Sequence, residues 1–226
     1  GEIEEIPEVS VNPIGSGGGL AVHATNTGSV INLKNSQFIG NLADSGGGGI
    51  FVLGSKLVIN NSNTDHEKVE FNHNAAVLGG NIYLESSTLN ATRSEHANDQ
   101  HHLLIKGGTA TEFGGGIACV GSTVILHASL LKENVAGLDG GGLYGVLCLM
   151  NSIKSSFSDN KAGEDPDQFG KGGGLFFQSI SNIVLDRVEI LNNTADGAGG
   201  GLAAIRARVF FVTESNIMYN IATEGG

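Results

Sequence analysis

The chain has 226 residues, of which only 15% are charged, and its formal net charge is −11. Such an acidic surface repels nucleic acid, so we expect no nucleic-acid partner. No apolar run approaches the ~20 residues of a membrane-spanning helix, so we expect no membrane insertion by this segment. The 36 glycines lie in short clusters without a Gly-X-Y period, which excludes collagen and opposes a flexible linker.

Residues 1–16 precede the repeats. They mix acidic and apolar residues and contain Pro7 and Pro13, so we expect an irregular acidic lead-in or a strand that caps the stack. Residues 17–226 are predicted to be one elongated repeat body. Because the chain starts without Met and stops where another glycine cluster is due, we interpret it as a fragment of a longer chain.

Two phrases recur through residues 17–226. The first is an apolar residue, two variable residues, Asn, a variable residue and Ala, and it occupies 38–43, 71–76, 131–136, 157–162, 190–195 and 217–222. The second is a run of glycines closed by an aliphatic residue, and it ends at Leu20, Ile50, Ile82, Ile117, Leu143, Leu175 and Leu202. Successive ends lie 26 to 35 residues apart, a period typical of solenoids.

Between the phrases, a ladder of positions recurs at i, i+2, i+5 and i+7. These positions are mostly apolar, with Ser usual at i+5, as at Val124, Leu126, Ser129 and Leu131. Spacing by two indicates a strand, and the jump of three indicates a bend before a second strand. Triple glycines and β-branched residues oppose a helical solenoid. The sequence therefore predicts an all-β fold, a right-handed single-stranded parallel β-helix with about three strands per coil and roughly seven coils.

The recurring asparagines mark a corner of each coil, because Asn tolerates the left-handed conformation and bonds to nearby backbone. We predict that they form a structural ladder along the stack. The members are Asn41, Asn74, Asn134, Asn160, Asn193 and Asn220. The coil after Ile82 is expected to lack its Asn phrase, and residues 93–102 are expected to form a loop outside the stack. Further insertions are predicted at 60–68 and 163–171.

Two cysteines, Cys119 and Cys148, are too few for a disulfide framework. Alignment of their repeats pairs Cys119 with Gly145 and Cys148 with Ser122, three residues out of register. Three strand residues and one inter-strand step separate the Cα atoms by roughly 11 Å, beyond the ~7 Å limit for a disulfide. We therefore predict two free, buried thiols.

No metal or cofactor site is predicted. The densest set of potential ligands is a histidine group in or near the insertions: His66, His73, His96, His101 and His102, with Glu95 and Asp99. A zinc site needs converging ligands on a firm scaffold, so we interpret this group as a solvated loop. Asp44, Asp139 and Asp196 precede glycine clusters at irregular offsets, so we expect turn-forming residues rather than a calcium site.

Many β-helices cleave acidic polysaccharides, and such enzymes need stacked carboxylates with basic partners. One predicted column holds Lys154, Arg187 and Glu214 with Asp186 beside them, and another holds Glu133 and Asp159. Both have fewer carboxylates than a catalytic set requires. We predict charge pairing on a wet surface and no catalytic residues.

Three Asn-x-Ser/Thr triplets, which begin at Asn60, Asn90 and Asn192, are candidate N-glycosylation acceptors. They matter only in a secreted eukaryotic protein, and an Asn-rich chain contains them by chance.

With both phrases located, the chain resembles the passenger region of the polymorphic membrane proteins of chlamydiae. Their hallmark pairs Gly-Gly-Ala-Ile/Leu/Val with Phe-x-x-Asn, and 38–41, 71–74 and 157–160 match the second element. The tetrapeptide of this chain differs from that of the family, because its third residue is Gly, or Asn81 once, and never Ala. The resemblance implies a surface-exposed, autotransporter-type adhesive β-helix without catalysis.

We therefore predict a non-enzymatic extracellular or cell-surface β-helix that acts as an adhesin, stalk or structural component of a surface assembly. Its partners are expected to be a protein or glycan at a cell surface, or neighbouring protomers. Two alternatives stay open: a polysaccharide lyase or hydrolase, and a protomer of an extracellular filament that contacts its neighbours through the loops at 60–68, 93–102 and 163–171.

Overall fold

A computed structural model describes residues 15–24, 29–59, 68–92, 101–165, 168–179 and 181–224. Throughout these ranges the regular elements are β-strands, and each strand pairs in parallel with its equivalents on the neighbouring coils. The strands form four sheets, here called A to D in the order in which the chain visits them, and the chain makes about six turns. The predicted all-β parallel β-helix is confirmed, and its right-handed sense stays a prediction.

The strands are as follows. Sheet A contains Leu20–His23, Ile50–Leu53, Ile82–Glu85, Ile117–Val120, Leu143–Val146, Leu175–Gln178 and Leu202–Ile205. Sheet B contains Val30–Leu33, Lys56–Ile59, Thr88–Ala91, Thr123–His127, Leu149–Ile153, Asn182–Asp186 and Val209–Thr213. Sheet C contains Gln37–Ile39, Val69–Asn72, Leu103–Lys106, Ser129–Lys132, Ser156–Ser158, Glu189–Leu191 and Asn216–Met218. Sheet D contains Ala75–Leu78, Thr109–Phe113, Val135–Ala136, Lys161–Ala162, Thr194–Ala198 and Ile221–Glu224.

Four strands per coil replace the three that the sequence predicted. The fourth strand belongs to sheet D. It begins directly after the Asn corner and contains the Ala of the Asn-x-Ala phrase. Ala136, Ala162 and Ala195 are fully buried there. Some of these strands, such as Val135–Ala136, have only two residues, too few to show the alternation by which strands are recognised in a sequence.

Glycine clusters mark the corner between sheets D and A. The aliphatic residues that close them pair in one continuous register, from Leu20 with Ile50 to Leu175 with Leu202. Gly140 has a φ of +71°, which favours glycine. A Cβ on Gly142 would lie 2.5 Å from the carbonyl oxygen of Gly174, so the close approach of neighbouring coils excludes a side chain.

The predicted interior column is buried: Leu131, Phe157 and Ile190 have no exposed area. Phe38 packs on the same core and stacks on Phe71, with ring centroids 4.9 Å apart. Ile217 continues the column but is 48% exposed, because its strand is the outermost described strand of sheet C.

A second apolar cluster lies on the outer face of sheet A. Phe51 and Tyr83 stack with centroids 5.3 Å apart, and Tyr144 stacks on both Phe113 and Phe176. These strands are therefore apolar on both faces, which explains their unbroken hydrophobic runs.

The prediction of free thiols is wrong, because Cys119 and Cys148 form a disulfide with Cα atoms 6.4 Å apart. The predicted register is right, since Cys119 pairs with Gly145. The distance was overestimated because Leu147, with a φ of 54°, begins the corner between sheets A and B. The chain bends there, so the three residues from Gly145 to Cys148 do not extend along one strand.

Candidate functional site

The predicted ladder residues lie in one file at the corner between sheets C and D. Both the backbone N–H and the Nδ2 of Asn134 donate to Oδ1 of Asn160, at 3.1 and 2.9 Å. The same pair of bonds runs from Asn160 to Asn193 and from Asn193 to Asn220. The Nδ2 of Asn134, Asn160 and Asn193 also donates to a backbone carbonyl of the preceding coil, as Asn160 does to Leu131 at 3.1 Å.

One rung is filled by a residue that the sequence did not assign to the ladder. On the coil after Ile82, Gly108 occupies the corner where Asn is usual, and Asn81 occupies the third glycine position. Asn81 Oδ1 accepts from Asn74 Nδ2 at 2.8 Å, and Asn81 Nδ2 donates to Asn134 Oδ1 at 3.1 Å. The ladder therefore continues without a gap from Asn41 to Asn220.

The prediction that the coil after Ile82 lacks the Asn phrase is wrong. Residues 105–110 carry the phrase with Gly in place of Asn, and Leu103–Lys106 pairs in register with both neighbouring strands of sheet C. The sequence contained this signal, because Ile105 and Ala110 have the correct spacing around Gly108.

The histidine group does not converge within the described residues. His102 is buried at the corner between sheets B and C, with Nδ1 3.2 Å from the carbonyl oxygen of Ala128, so it is not part of a solvated loop. His73 packs over Gly107 at another corner, and His101 is exposed. His66 and residues 93–100 lie outside the described residues. Among those described, no three or more His, Cys, Asp or Glu side chains are grouped to hold a metal ion.

Two of the predicted turn aspartates hold the insertion at 163–171. Asp139 Oδ1 accepts from Lys171 N, and Asp196 Oδ1 accepts from Gly170 N, each at 2.7 Å. Burial raises the pKa of Asp139, and the Lys171 contacts only partly oppose this rise. These two carboxylates thus anchor the end of the insertion to the coils before and after it.

The start of the insertion borders a cavity of about 480 Å³ on sheet D. It is lined by the small or apolar residues Ala110, Val135 and Gly137 and by residues with hydroxyl and carboxylate groups. The polar lining residues are Thr109, Thr111, Glu164 and Asp165. Glu164 forms an ion pair with Lys161.

The first predicted charge column exists, since Lys154, Arg187 and Glu214 share one corner and have φ values between 47° and 52°. Arg187 donates from Nε and Nη2 to Oδ2 of Asp186, at 2.9 and 2.7 Å. This is an exposed ion pair, worth about 0–1 kcal/mol.

The second column is bridged by lysines. Glu133 lies 3.2 Å from Nζ of both Lys106 and Lys132, and Lys132 also lies 3.8 Å from Asp159. The hydrogen bond from Lys132 is the largest cause of a lowered pKa for Glu133. A general acid in glycoside hydrolysis needs a raised pKa, so this arrangement favours charge pairing.

The candidate glycosylation asparagines differ in exposure. Asn192 is exposed at the corner before Asn193, with a φ of 55°. Asn90 is half-buried on sheet B, and its Oδ1 is inaccessible to solvent. Asn60 lies outside the described residues, as do residues 1–14 of the predicted lead-in and 61–67 of the first insertion.

Comparison with known proteins gives one similarity. The chain is 37% identical over 93 residues to the probable outer membrane protein PmpB of Chlamydia trachomatis serovar D. The match covers 39% of this chain and 5% of that protein. No protein-family model and no solved structure matches. Among the described residues, no helix is long and apolar enough to span a membrane.

Proposed function

We propose that this chain is a surface-exposed, autotransporter passenger-type segment, a right-handed β-helix that acts as an adhesin or as the stalk of a surface assembly. The observation that carries the proposal is the similarity to a chlamydial outer membrane protein, combined with an uninterrupted parallel stack. An outer membrane relative suggests an association with the cell surface.

The ladder and the disulfide suit an extracellular role. Disulfides persist in oxidising environments such as cell surfaces and are rare in the cytosol. The Cys119–Cys148 bond joins two neighbouring coils, and the asparagine file fastens the coils at another corner. A body fastened in this way holds its surface groups at fixed distances from one another, as a stalk or adhesin requires.

We further propose that the chain works without catalysis and without a cofactor. Three of the carboxylates singled out in the sequence have structural partners: Asp186 accepts from Arg187, Glu133 pairs with two lysines, and Asp159 lies near Lys132. These contacts support charge pairing as their role.

An adhesion assay tests the proposal. Beads coated with the purified, oxidised chain are expected to bind cultured epithelial cells saturably, and soluble chain is expected to compete. Beads coated with urea-unfolded, reduced chain serve as the control. Binding no greater than this control would contradict the adhesin role, and turnover of pectate, alginate or glycosaminoglycan by the pure chain would contradict the absence of catalysis.

A further inference from the structure

The insertion at 163–171 is fixed to the solenoid at both of its described ends. Beyond the two aspartate contacts, Asp165 N donates to Gly137 O at 2.9 Å, and Gly197 N donates to Gly170 O at 2.8 Å. Loops that carry function on repeat proteins are positioned by a rigid scaffold in this way. These hydrogen bonds hold the two described parts of the insertion, 163–165 and 168–171, against sheet D.

An aromatic side chain projects from this fixed segment. Phe169 is 69% exposed and directly precedes Gly170, whose N–H is bound by Asp196. Interfaces are enriched in aromatic residues, and groups held in place lose less entropy on binding. The hydrogen bond from Gly170 N to Asp196 therefore fixes the backbone beside Phe169, which makes Phe169 a preorganised anchor.

The cavity beside the insertion suits a long basic side chain. Its lining by Ala110, Val135 and Gly137 matches an aliphatic stem, and the carboxylates of Glu164 and Asp165 in the same lining match a cationic head. Lys161 already contacts Glu164, so an incoming guanidinium would share that carboxylate. Arginine fits such a site best because its planar fork binds carboxylates through two hydrogen bonds.

We propose that Phe169 and the cavity at the start of the same insertion form a docking surface for a basic protein segment, with the partner's arginine or lysine in the cavity and its apolar pocket over Phe169. The inference rests on the proposed function and names the contact surface. Charge decides the kind of partner. Residues 163–171 carry three carboxylates and one lysine, and the whole chain is at −11, which opposes both an anionic membrane and a second copy.

A peptide selection tests this surface. A random peptide library is selected on the oxidised chain, and the enriched peptides are measured against Phe169→Ala and against the double variant Glu164→Gln, Asp165→Asn. We expect enriched peptides to contain Arg or Lys next to an apolar residue, and each variant to weaken binding about tenfold or more. Phe211→Ala and Glu214→Gln change an exposed aromatic and an exposed acid on another face, and they should leave binding unchanged.

Enriched peptides without basic residues, or peptides that bind Phe169→Ala as tightly as wild type, would overturn the docking surface. The bead assay separates this failure from failure of the proposed function. If beads coated with Phe169→Ala adhere as well as wild type, the chain is an adhesin that uses another surface, and this inference is wrong. If wild-type beads do not adhere while basic peptides still bind through Phe169, the docking surface holds and the adhesin role fails.

Discussion

Asn81 and Gly108 lie on the same coil and exchange the positions that Gly and Asn occupy on the neighbouring coils. A Cβ on Gly108 would collide with the Asn81 amide, which fills the ladder position from the opposite side of the corner. The rung is supplied by a different residue, and the file of amides is preserved. At this corner the fold therefore requires a continuous file of hydrogen bonds. It does not require that the Asn stand at one fixed position of the phrase.

This exchange predicts strong coupling between the two residues. Asn81→Gly removes a buried amide between Asn74 and Asn134, and we expect a loss of about 2 kcal/mol in the free energy of unfolding. Gly108→Asn overpacks the corner and is expected to lose about 1–3 kcal/mol. The double variant rebuilds the usual arrangement and should recover at least half of the summed loss, although the Gly115 carbonyl near Gly108 limits recovery. Urea unfolding measures all three, and additive losses would contradict this account.

The disulfide gives a second prediction. Its cysteines are 29 residues apart, so their replacement by alanine is expected to lose about 3–4 kcal/mol. Cys148 also stands in a corner column of serines, where Ser87 N donates to Ser122 Oγ at 2.9 Å and Cys148 N donates to Ser181 Oγ at 3.2 Å.

The matched variant is therefore Cys119→Ala, Cys148→Ser, which returns a hydroxyl acceptor to this column. Its free energy of unfolding should be about 1 kcal/mol higher than that of the double alanine variant. Thermal or urea unfolding without reducing agent measures the difference. Equal stability of the two variants would show that the serine column contributes nothing at this corner.

The same substitution at two phenylalanines tests the division between core and surface. Phe157 is fully buried, so Phe157→Ala is expected to lose about 3–5 kcal/mol. Phe169 is 69% exposed, so Phe169→Ala should stay within about 0.5 kcal/mol of wild type. Urea midpoints give both values, and a large loss for Phe169→Ala would assign that side chain to packing instead of presentation.

Asp139 predicts a pH dependence of stability. Burial raises its pKa in the folded state, so the folded chain binds the proton more tightly than the unfolded chain does. Its stabilising contribution is thus complete below the ordinary Asp pKa and is lost as the pH rises through the raised value.

Asp139→Asn keeps an oxygen acceptor for Lys171 N and removes the charge. Its stability relative to wild type should therefore increase from about pH 4 to about pH 7, in paired urea titrations. Asp159→Asn is the control, because Asp159 is exposed. A relative stability that stays constant or falls with rising pH would contradict the burial of charge at Asp139.

Much of this fold follows from its spacing. Glycine and aliphatic phrases set the register of sheet A, and the i, i+2, i+5, i+7 pattern located sheets B and C. Sheet D was not predicted for two reasons. Two of its strands, Val135–Ala136 and Lys161–Ala162, are too short to alternate, and longer ones such as Ala75–Leu78 run directly into a glycine cluster. The disulfide was not predicted because the chain bends at the corner before Cys148. The Cα atoms of the two cysteines are therefore closer than the same number of residues along a straight strand would place them.

The candidate site was less accessible to sequence reasoning. In the sequence Asn81 is only a departure from the glycine phrase, because its compensation for Gly108 depends on contacts across the corner. Phe169 lies in an insertion without the repeat, where no periodicity indicates which side chains face solvent. The sequence predicts that Asp139 and Asp196 form turns. It does not show that they accept hydrogen bonds from Lys171 N and Gly170 N, because these contacts form between coils of the folded chain.

The stacked coils are the central claim, and spin-label distances along one column test it most directly. Val30, Lys56, Asn182 and Val209 occupy the same outward column of sheet B. With nitroxides on cysteines introduced there, four, five and six steps separate Lys56–Asn182, Lys56–Val209 and Val30–Val209. At ~4.8 Å per coil, the expected distances are about 19, 24 and 29 Å. Distances that do not increase by one inter-strand spacing per coil would contradict the solenoid and the role built on it.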